Sequence, residues 1–404
     1  HGDQVAENMR EEFTELPLYP MLDEKGKNLQ IQIAFPGRIV SARIWRVPVG
    51  RVNLFLLDTD IESNQAHDRL LTSNLYGGDE EHRLKQEMLL GVGGIRMLEL
   101  LGIKADIFHC NEGHAAFIGF ERIKQLMETK NFTFNESREV IRASTLFTTH
   151  TPVPAGHDAF HEDLIRTYMG HYPDRLKIAW EEFTDLGRKV PGDHNEKFSM
   201  SHLAANLSQE INAVSNLHGE VTRSMFANLW EGYFPEELHI GYVTNGVHYK
   251  TWTAKAWQAL YLETFGNDFL NSQSDASYWE KIHDVADNRI WQIRESQRNI
   301  LIEYLKKRLR KNSIRRHEPP GQVLEVIGKL NAKVLTIGFA RRFATYKRAH
   351  LLFKDIDRLA RIINNTDRPV QFLFAGKAHP RDKAGQDLIK YIVEMSRRPE
   401  FIGR

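Results

Sequence analysis

Four times in this chain an apolar run stops abruptly in polar or glycine residues. Ala105-Asp-Ile-Phe-His-Cys meets Asn111-Glu-Gly-His114, and Thr145-Leu-Phe-Thr-Thr meets His150. Gly241-Tyr-Val-Thr meets Asn245-Gly-Val-His248, and Val334-Leu-Thr-Ile-Gly-Phe-Ala meets Arg341-Arg-Phe-Ala-Thr-Tyr-Lys-Arg348. Each reads as an apolar strand that ends before a turn, the last of them a buried one. Helical patterns lie between and after them: Glu81–Leu90, His114–Leu126 and the amphipathic run from Ala349. Strands alternating with helices argue for an α/β fold, a mostly parallel sheet with covered faces. In such sheets ligands bind beyond the carboxyl ends of the strands, where all four polar clusters fall.

The opening is different. Leu29-Gln-Ile-Gln-Ile-Ala-Phe alternates with period two, and Val40–Val49 and Arg51–Asp58 follow at short spacing, so an antiparallel meander is expected. Ser201–His218 reads as one helix, with polar residues at His202, Asn206, Asn212 and His218. Gly91-Val-Gly-Gly94 lacks dinucleotide-binding spacing and follows a helical pattern, which favours close helix packing over phosphate binding. From Ala254 to about Asn312 the pattern is nearly all helix, dense in charge, and reads as a connector that spans or joins domains. Two α/β units are expected: residues 1–250, and 251–404 with the helical connector and the start of a second strand–helix alternation. The ligand is placed in the cleft between them.

Composition excludes several classes. The 404 residues are 41% hydrophobic and 26% charged, with formal net charge +1, too balanced for a broad nucleic-acid field. No apolar run is long enough to cross a bilayer. One cysteine, Cys110, forbids an internal disulfide and fits a reducing cytoplasm. The polar start His1-Gly-Asp-Gln-Val lacks the regions of a secretion signal. The chain begins without methionine and stops at Phe401-Ile-Gly-Arg404, where another element is expected, so it reads as a fragment.

The chemistry follows from side-chain type. Arg342 and Lys347, with Arg341 and Arg348, suit a phosphate dianion, one by a planar fork of donors and the other by a compact charge. A solvated basic helix start is the bland alternative. Asn111, Glu112, His114, His150 and Asn245 can each direct hydrogen bonds to sugar hydroxyls. Against this, Asn245-Gly246 is a common turn dipeptide, and His109 and His114 also suit satisfied core positions. His109, Glu112, His114, His150 and His157 lack the helical spacing of a zinc site, so no metal is expected. Gly376-Lys377 after a strand presents either a cation to the cleft or a surface turn.

Taken together, Asn-Glu-Gly-His-Ala-Ala-Phe, Thr-His-Thr-Pro-Val-Pro-Ala-Gly-His-Asp, Thr-Asn-Gly-Val-His and Arg-Arg-Phe-x-x-Tyr-Lys-Arg resemble the α-glucan phosphorylase family (glycogen, starch and maltodextrin phosphorylases), in its bacterial and archaeal branch. The resemblance runs over essentially the whole chain. It implies two Rossmann-like lobes of the GT-B glycosyltransferase type, both incomplete here, with the active site in the interlobe cleft. By the same resemblance His150 and Asn245 contact the 6-hydroxyl side of the transferred glucose, and Arg342 and Lys347 grip the substrate phosphate. Asn111, Glu112 and His114 line a loop near the sugar, with glutamate where better-known members have aspartate. Asn212 and Val214 flank the cofactor and sugar. Where many members carry a histidine between arginine and lysine, this chain has Phe343-Ala-Thr345.

The family implies pyridoxal 5'-phosphate in the full-length enzyme, with its Schiff-base lysine beyond Arg404; Lys377 matches a different segment. The implied reaction is reversible phosphorolysis of a terminal α-1,4-linked glucose to glucose 1-phosphate with retention, in the cytoplasm. Its partners are glucan and inorganic phosphate, with a homodimer or higher homo-oligomer possible and no nucleic acid or membrane. No paired-carboxylate hydrolase signature is found. A nucleotide-sugar glucan synthase and a glucan-binding fragment without activity are the rival readings.

Overall fold

The computed structural model describes residues 2–5, 11, 13–75, 78–380 and 382–404. His1, part of the polar opening, lies outside them. The chain divides into two compact units, Glu11–Gly246 and Val247–Arg404, the latter with residues 2–5.

In the first unit a short strand β1 (Tyr19–Pro20) pairs with β3 (Arg38–Val49), which also holds β2 (Gln30–Phe35) and β4 (Val52–Asp58), all antiparallel. Ile31, Ile33 and Phe35 of β2 point inward while their neighbours are exposed, as period two requires. Helix α1 (Glu80–Met88) starts at Asp79, whose carboxylate accepts from the His82 amide. It passes through a π turn, Leu89–Gly93, into α2 (Gly94–Leu100) without a break. Two of the three glycines there serve close packing: a Cβ on Gly91 would lie 2.7 Å from the Phe117 Cβ and one on Gly93 3.2 Å from the Ile31 side chain, whereas Gly94 faces open space.

A parallel sheet follows, in the order β10-β9-β6-β5: β5 (Phe108–Asn111), β6 (Thr145–Thr148), β9 (Glu210–Ala213) and β10 (Ile240–Tyr242). A two-residue antiparallel pair, β7 (Ala159–Phe160) with β8 (Phe198–Ser199), flanks it in sequence. Helices α3 (Ile118–Lys130) and α4 (Phe134–Ala143) connect β5 to β6, the second opened by a capping box between Thr133 and Glu136. Phe117, Phe120, Phe183 and Phe198, all at most 2% exposed, stack in the core beneath. Ser201–His218 departs from expectation. It is not one helix but α5 (Met200–Asn206), then β9, then α6 (Asn216–Phe226). Asn212 therefore lies on a strand and Val214 just after it. The cause is local: Ile211 and Ala213 alternate inward, and Ser215 caps a new helix by accepting from His218 N.

The second unit is helical first, with α7 (Lys255–Phe265) and the 29-residue α8 (Asp287–Arg315), about 43 Å long. Strands β11 (Leu335–Ala340) and β12 (Val370–Ala375) then pair in parallel. Between them comes a short turn, Ala349–Phe353, and α9 (Ile356–Ile363); α10 (Lys383–Ser396) follows β12. Two expectations need correction. The amphipathic run from Ala349 is not one helix, because Asp355 caps a fresh start by accepting from Arg358 N at 3.0 Å. Strand β11 is not buried either. Leu335 and Ile337 are 60% and 44% exposed, since among the described residues β12 is its one ladder partner. Among the described residues no helix is long and apolar enough to cross a membrane.

Candidate active site

The carboxyl ends of the first unit's sheet line up in register. Asn111 of β5 faces Thr148 of β6, which faces Asn212 of β9. The Thr148 hydroxyl donates to Asn212 Oδ1 at 2.8 Å, so its oxygen accepts from His109 Nε2 at 2.7 Å. Three strands are thus tied by side chains as well as by the ladder. Just past this row, His150 Nε2 lies 2.6 Å from Asn111 Oδ1, and the His150 amide donates to Glu112 Oε1 at 2.8 Å. Nε2 must donate to that oxygen, leaving Nδ1 as the ring atom for a hydroxyl.

Glu112 occupies a strained backbone, φ 68° and ψ 173°, a region that is essentially glycine's. The Glu112 amide holds the Thr148 carbonyl at 2.9 Å, and its Oε2 is buried with no partner among the described residues. The next residue must be glycine for space, because a Cβ on Gly113 would sit 2.9 Å from the Ser201 amide nitrogen. Val243 N and Asn245 N continue the pairing of β10 to Ala213 O and Val214 O, at 2.9 and 3.4 Å. Six predicted positions, Asn111, Glu112, His150, Asn212, Val214 and Asn245, thereby gather along one sheet edge. His157 is braced nearby, between the Ser201 hydroxyl at 2.8 Å and the Thr151 carbonyl at 2.7 Å.

His114 is directed elsewhere. Its Nδ1 lies 3.4 Å from both Arg83 Nη2 and Asp158 Oδ2. Arg83 Nη2 also donates to Asp158 Oδ2 at 2.7 Å and to Glu87 Oε1 at 3.1 Å. Sequence reasoning missed this group. Its one available signal was Arg83 and Glu87 four apart on α1, a spacing that places both on one helix face. Glu87, His114 and Asp158 bring donor atoms within 4.8 Å of one another, but the guanidinium of Arg83 stands against all three, where a metal ion would have to sit. Burial and the neighbouring Asp158 raise the Glu87 carboxyl well above its ordinary range. Asp158, although desolvated, is held below its own by hydrogen bonds from His114 and Arg83. Cys110 on β5 is no nucleophile, since burial pushes its thiol up to about 12.

Arg342 and Lys347 belong to the second unit, beyond the end of β11. Arg342 is exposed, and Lys347 Nζ lies 4.5 Å from the centre of the Tyr346 ring. Phe343 N donates to Lys377 O at 3.0 Å, so the tails of β11 and β12 stay paired past the strands. Gly376 permits that approach, because a Cβ there would be 2.2 Å from the Arg341 carbonyl oxygen. Among the described residues neither Arg342 nor Lys347 has a carboxylate partner.

A family model for carbohydrate phosphorylase matches residues 96–398. The chain belongs to the carbohydrate phosphorylase family. It is 40% identical to the maltodextrin phosphorylase of Thermococcus litoralis over 387 residues, 96% of this chain and 45% of that protein. The glycogen phosphorylase of Mycobacterium tuberculosis is also 40% identical, over 397 residues, 95% of this chain and 45% of that protein. That of Aquifex aeolicus is 36% identical over 402 residues, 100% of this chain and 57% of that protein. The chain spans about half the length of the curated relatives it matches. The phosphorylase resemblance read from the four motifs is thus the family of the whole chain.

A pyridoxal phosphate group fits these residues only in part. The side chains that define the sheet edge are Asn, Thr, His and Glu, able to hydrogen-bond the group, whereas its covalent attachment requires a lysine and none is among them.

Proposed function

We propose that the protein containing this chain is an α-1,4-glucan phosphorylase, a hexosyltransferase that reversibly releases terminal glucose as glucose 1-phosphate with retention. Family membership and the names of the relatives support the reaction class. One geometric observation carries the assignment of the sugar side: the His150 ring and amide are both fixed, on Asn111 and Glu112, at the carboxyl edge of a parallel sheet. His150 and Asn245 hold the 6-hydroxyl side of the glucose, and Asn111, Glu112 and His114 shape the loop around it. Arg342 and Lys347, cations without carboxylate partners, take the phosphate. Their role is electrostatic: two dianions beside a developing oxocarbenium ion repel unless cations surround them.

Pyridoxal phosphate, bound in the full-length enzyme, would supply a phosphate to the chemistry; Asn212 and Val214 would be this chain's residues beside it, and its lysine would come from beyond Arg404. The reading extends to the GT-B fold type with lobes at residues 1–250 and 251–404, a cytoplasmic location and a homo-oligomer. The test is the full-length protein with maltodextrin and inorganic phosphate. Release of glucose 1-phosphate is expected; a requirement for a nucleotide sugar, or no product from an intact folded protein, overturns the proposal.

A further inference from the structure

We propose that Glu87 and Asp158 share one proton beneath Arg83, and that this clamp positions the two loops that carry Asn111, Glu112 and His150. Charge counting makes the first case. Glu87 is 1% exposed and α1 buries it with Leu84 and Met88. Its Oε1 accepts from Arg83 Nη2, the same nitrogen that donates to Asp158. One guanidinium facing two carboxylates, Glu87 buried and Asp158 half-buried, leaves one negative charge unpaired, which a single proton removes. Glu87 Oε2 is the atom to carry it. It is buried and accepts no hydrogen bond from the described residues, while a proton there makes it a donor toward the Asp158 carboxylate. The raised Glu87 and the depressed Asp158 agree with this division. Among the described residues, the titratable and charged groups facing Glu87 are Arg83 on its own helix, Asp158 from the segment after β6, and His114 from the turn after β5.

The connectivity makes the second case. Asp158 ends the segment that begins at His150, and its carbonyl accepts from Met200 N at 3.0 Å at the start of α5. His114 lies two residues past Glu112, whose carboxylate holds the His150 amide. Both loops of the sugar side therefore end in one half-buried group around Glu87 on α1. Glu87 and Asp158 act through other groups and are positioning residues. Their consequence for phosphorolysis rests on the function proposed above, whereas the shared proton does not.

Infrared spectroscopy of the full-length protein at neutral pH tests the proton directly. A protonated-carboxyl stretch is expected in the parent and should vanish in Glu87→Gln. It should vanish in Asp158→Asn too, because Glu87 is then ionised by Arg83 alone. No such band, a band that survives Glu87→Gln, or the proton found on His114 instead overturns the proposal. Stability supplies a second arm. A carboxyl with a raised folded pKa stabilises below its unfolded value, about 4.5, and loses that contribution as pH climbs through the folded value. Glu87→Gln should remove this alkaline slope; an unchanged slope counts against the clamp. In the phosphorolysis assay Glu87→Ala should lower kcat/KM for glucan about tenfold, with the KM for phosphate unchanged and the conservative glutamine variant largely restoring it. An equal loss in both variants overturns the positioning role. A parent that makes no glucose 1-phosphate but shows the band sinks the proposed function and leaves the shared proton standing.

Discussion

The two strand-end clusters proposed for the chemistry are built in opposite ways. Along the first unit's sheet, polar side chains have spent their hydrogen bonds on one another: His109 to Thr148 to Asn212, and His150 to Asn111 and Glu112. Beyond β11, Arg342 and Lys347 have no carboxylate partner among the described residues, and β11 itself is largely exposed. Pre-arranged, mutually hydrogen-bonded groups orient a neutral ligand at little entropic cost, because the side chains are already ordered. Unpaired cations keep their full charge for an anion. The difference predicts that mutations at the first edge register in stability, and those at the second in activity alone.

The sharpest way to break that contrast is Arg342→Ala. Removing one charged donor of a transition-state clamp costs about 10²–10³ in rate. An exposed side chain without partners changes stability by no more than about 0.5 kcal/mol. Full-length protein should therefore lose two to three orders in kcat/KM for phosphate, by about those factors, with its melting temperature unmoved. Activity that survives, or a large drop in melting temperature, breaks the comparison.

Next in size is acid lability of the scaffold under the first edge. His202 on α5 packs its ring against Phe226, 5.3 Å between centres, and burial lowers it to about 4. A depressed histidine contributes stability above its unfolded value, about 6.5, and loses it as pH falls toward 4. Roughly 2–3 kcal/mol should disappear across that window. Denaturant titrations at several pH values should show the slope in the parent and a flatter one in His202→Gln. An identical slope in both removes His202 as the cause.

Thr148→Val is expected to cost about 0.5–1.5 kcal/mol, because it keeps shape but removes the hydroxyl that joins an exposed His109 to a half-buried Asn212, both of which can turn to water. The urea midpoint reads this; a neutral result would mean the cross-strand chain contributes nothing to the order of the edge.

How much of this was visible in the residues depends on whether the signal was local. The period-two run in β2, the glycines of the α1–α2 passage and all four strand-end clusters were legible, because periodicity and abrupt polar stops are properties of a few neighbouring positions. Strand β9 was not. Its four residues lie between two helices, and only pairing to β6 and β10 makes Glu210–Ala213 extended. The exposed face of β11 was equally hidden, since an apolar composition cannot state how many ladders flank it. The Arg83–Glu87–Asp158–His114 group joins three separate segments, so no stretch of sequence contains it. Within that limit, the motif residues of the first unit other than His114 fall along one sheet edge, while the His114 ring turns to Arg83 and Asp158.

Along the first edge the smallest expected change in stability is also the most discriminating, at Glu112. Its backbone pays about 1–3 kcal/mol for a glycine-like conformation. Its carboxylate gains back roughly 1.5–3 kcal/mol through the charged hydrogen bond from the His150 amide. Glu112→Gly relieves the first and forfeits the second, and added freedom in the unfolded chain costs about 0.5–1 kcal/mol more. The balance should lie within about 1 kcal/mol of the parent on those figures. Function should not balance, because His150 loses the anchor of its amide while Asn111 still holds only its ring. Glucan kcat/KM should therefore fall by about tenfold in a variant of nearly parental melting temperature, and Glu112→Gln, which keeps an acceptor, should fall less. A loss above about 3 kcal/mol in the glycine variant would show that the backbone stores no strain. Parental activity in it would show that the fixed histidine amide is not what orders the sugar side.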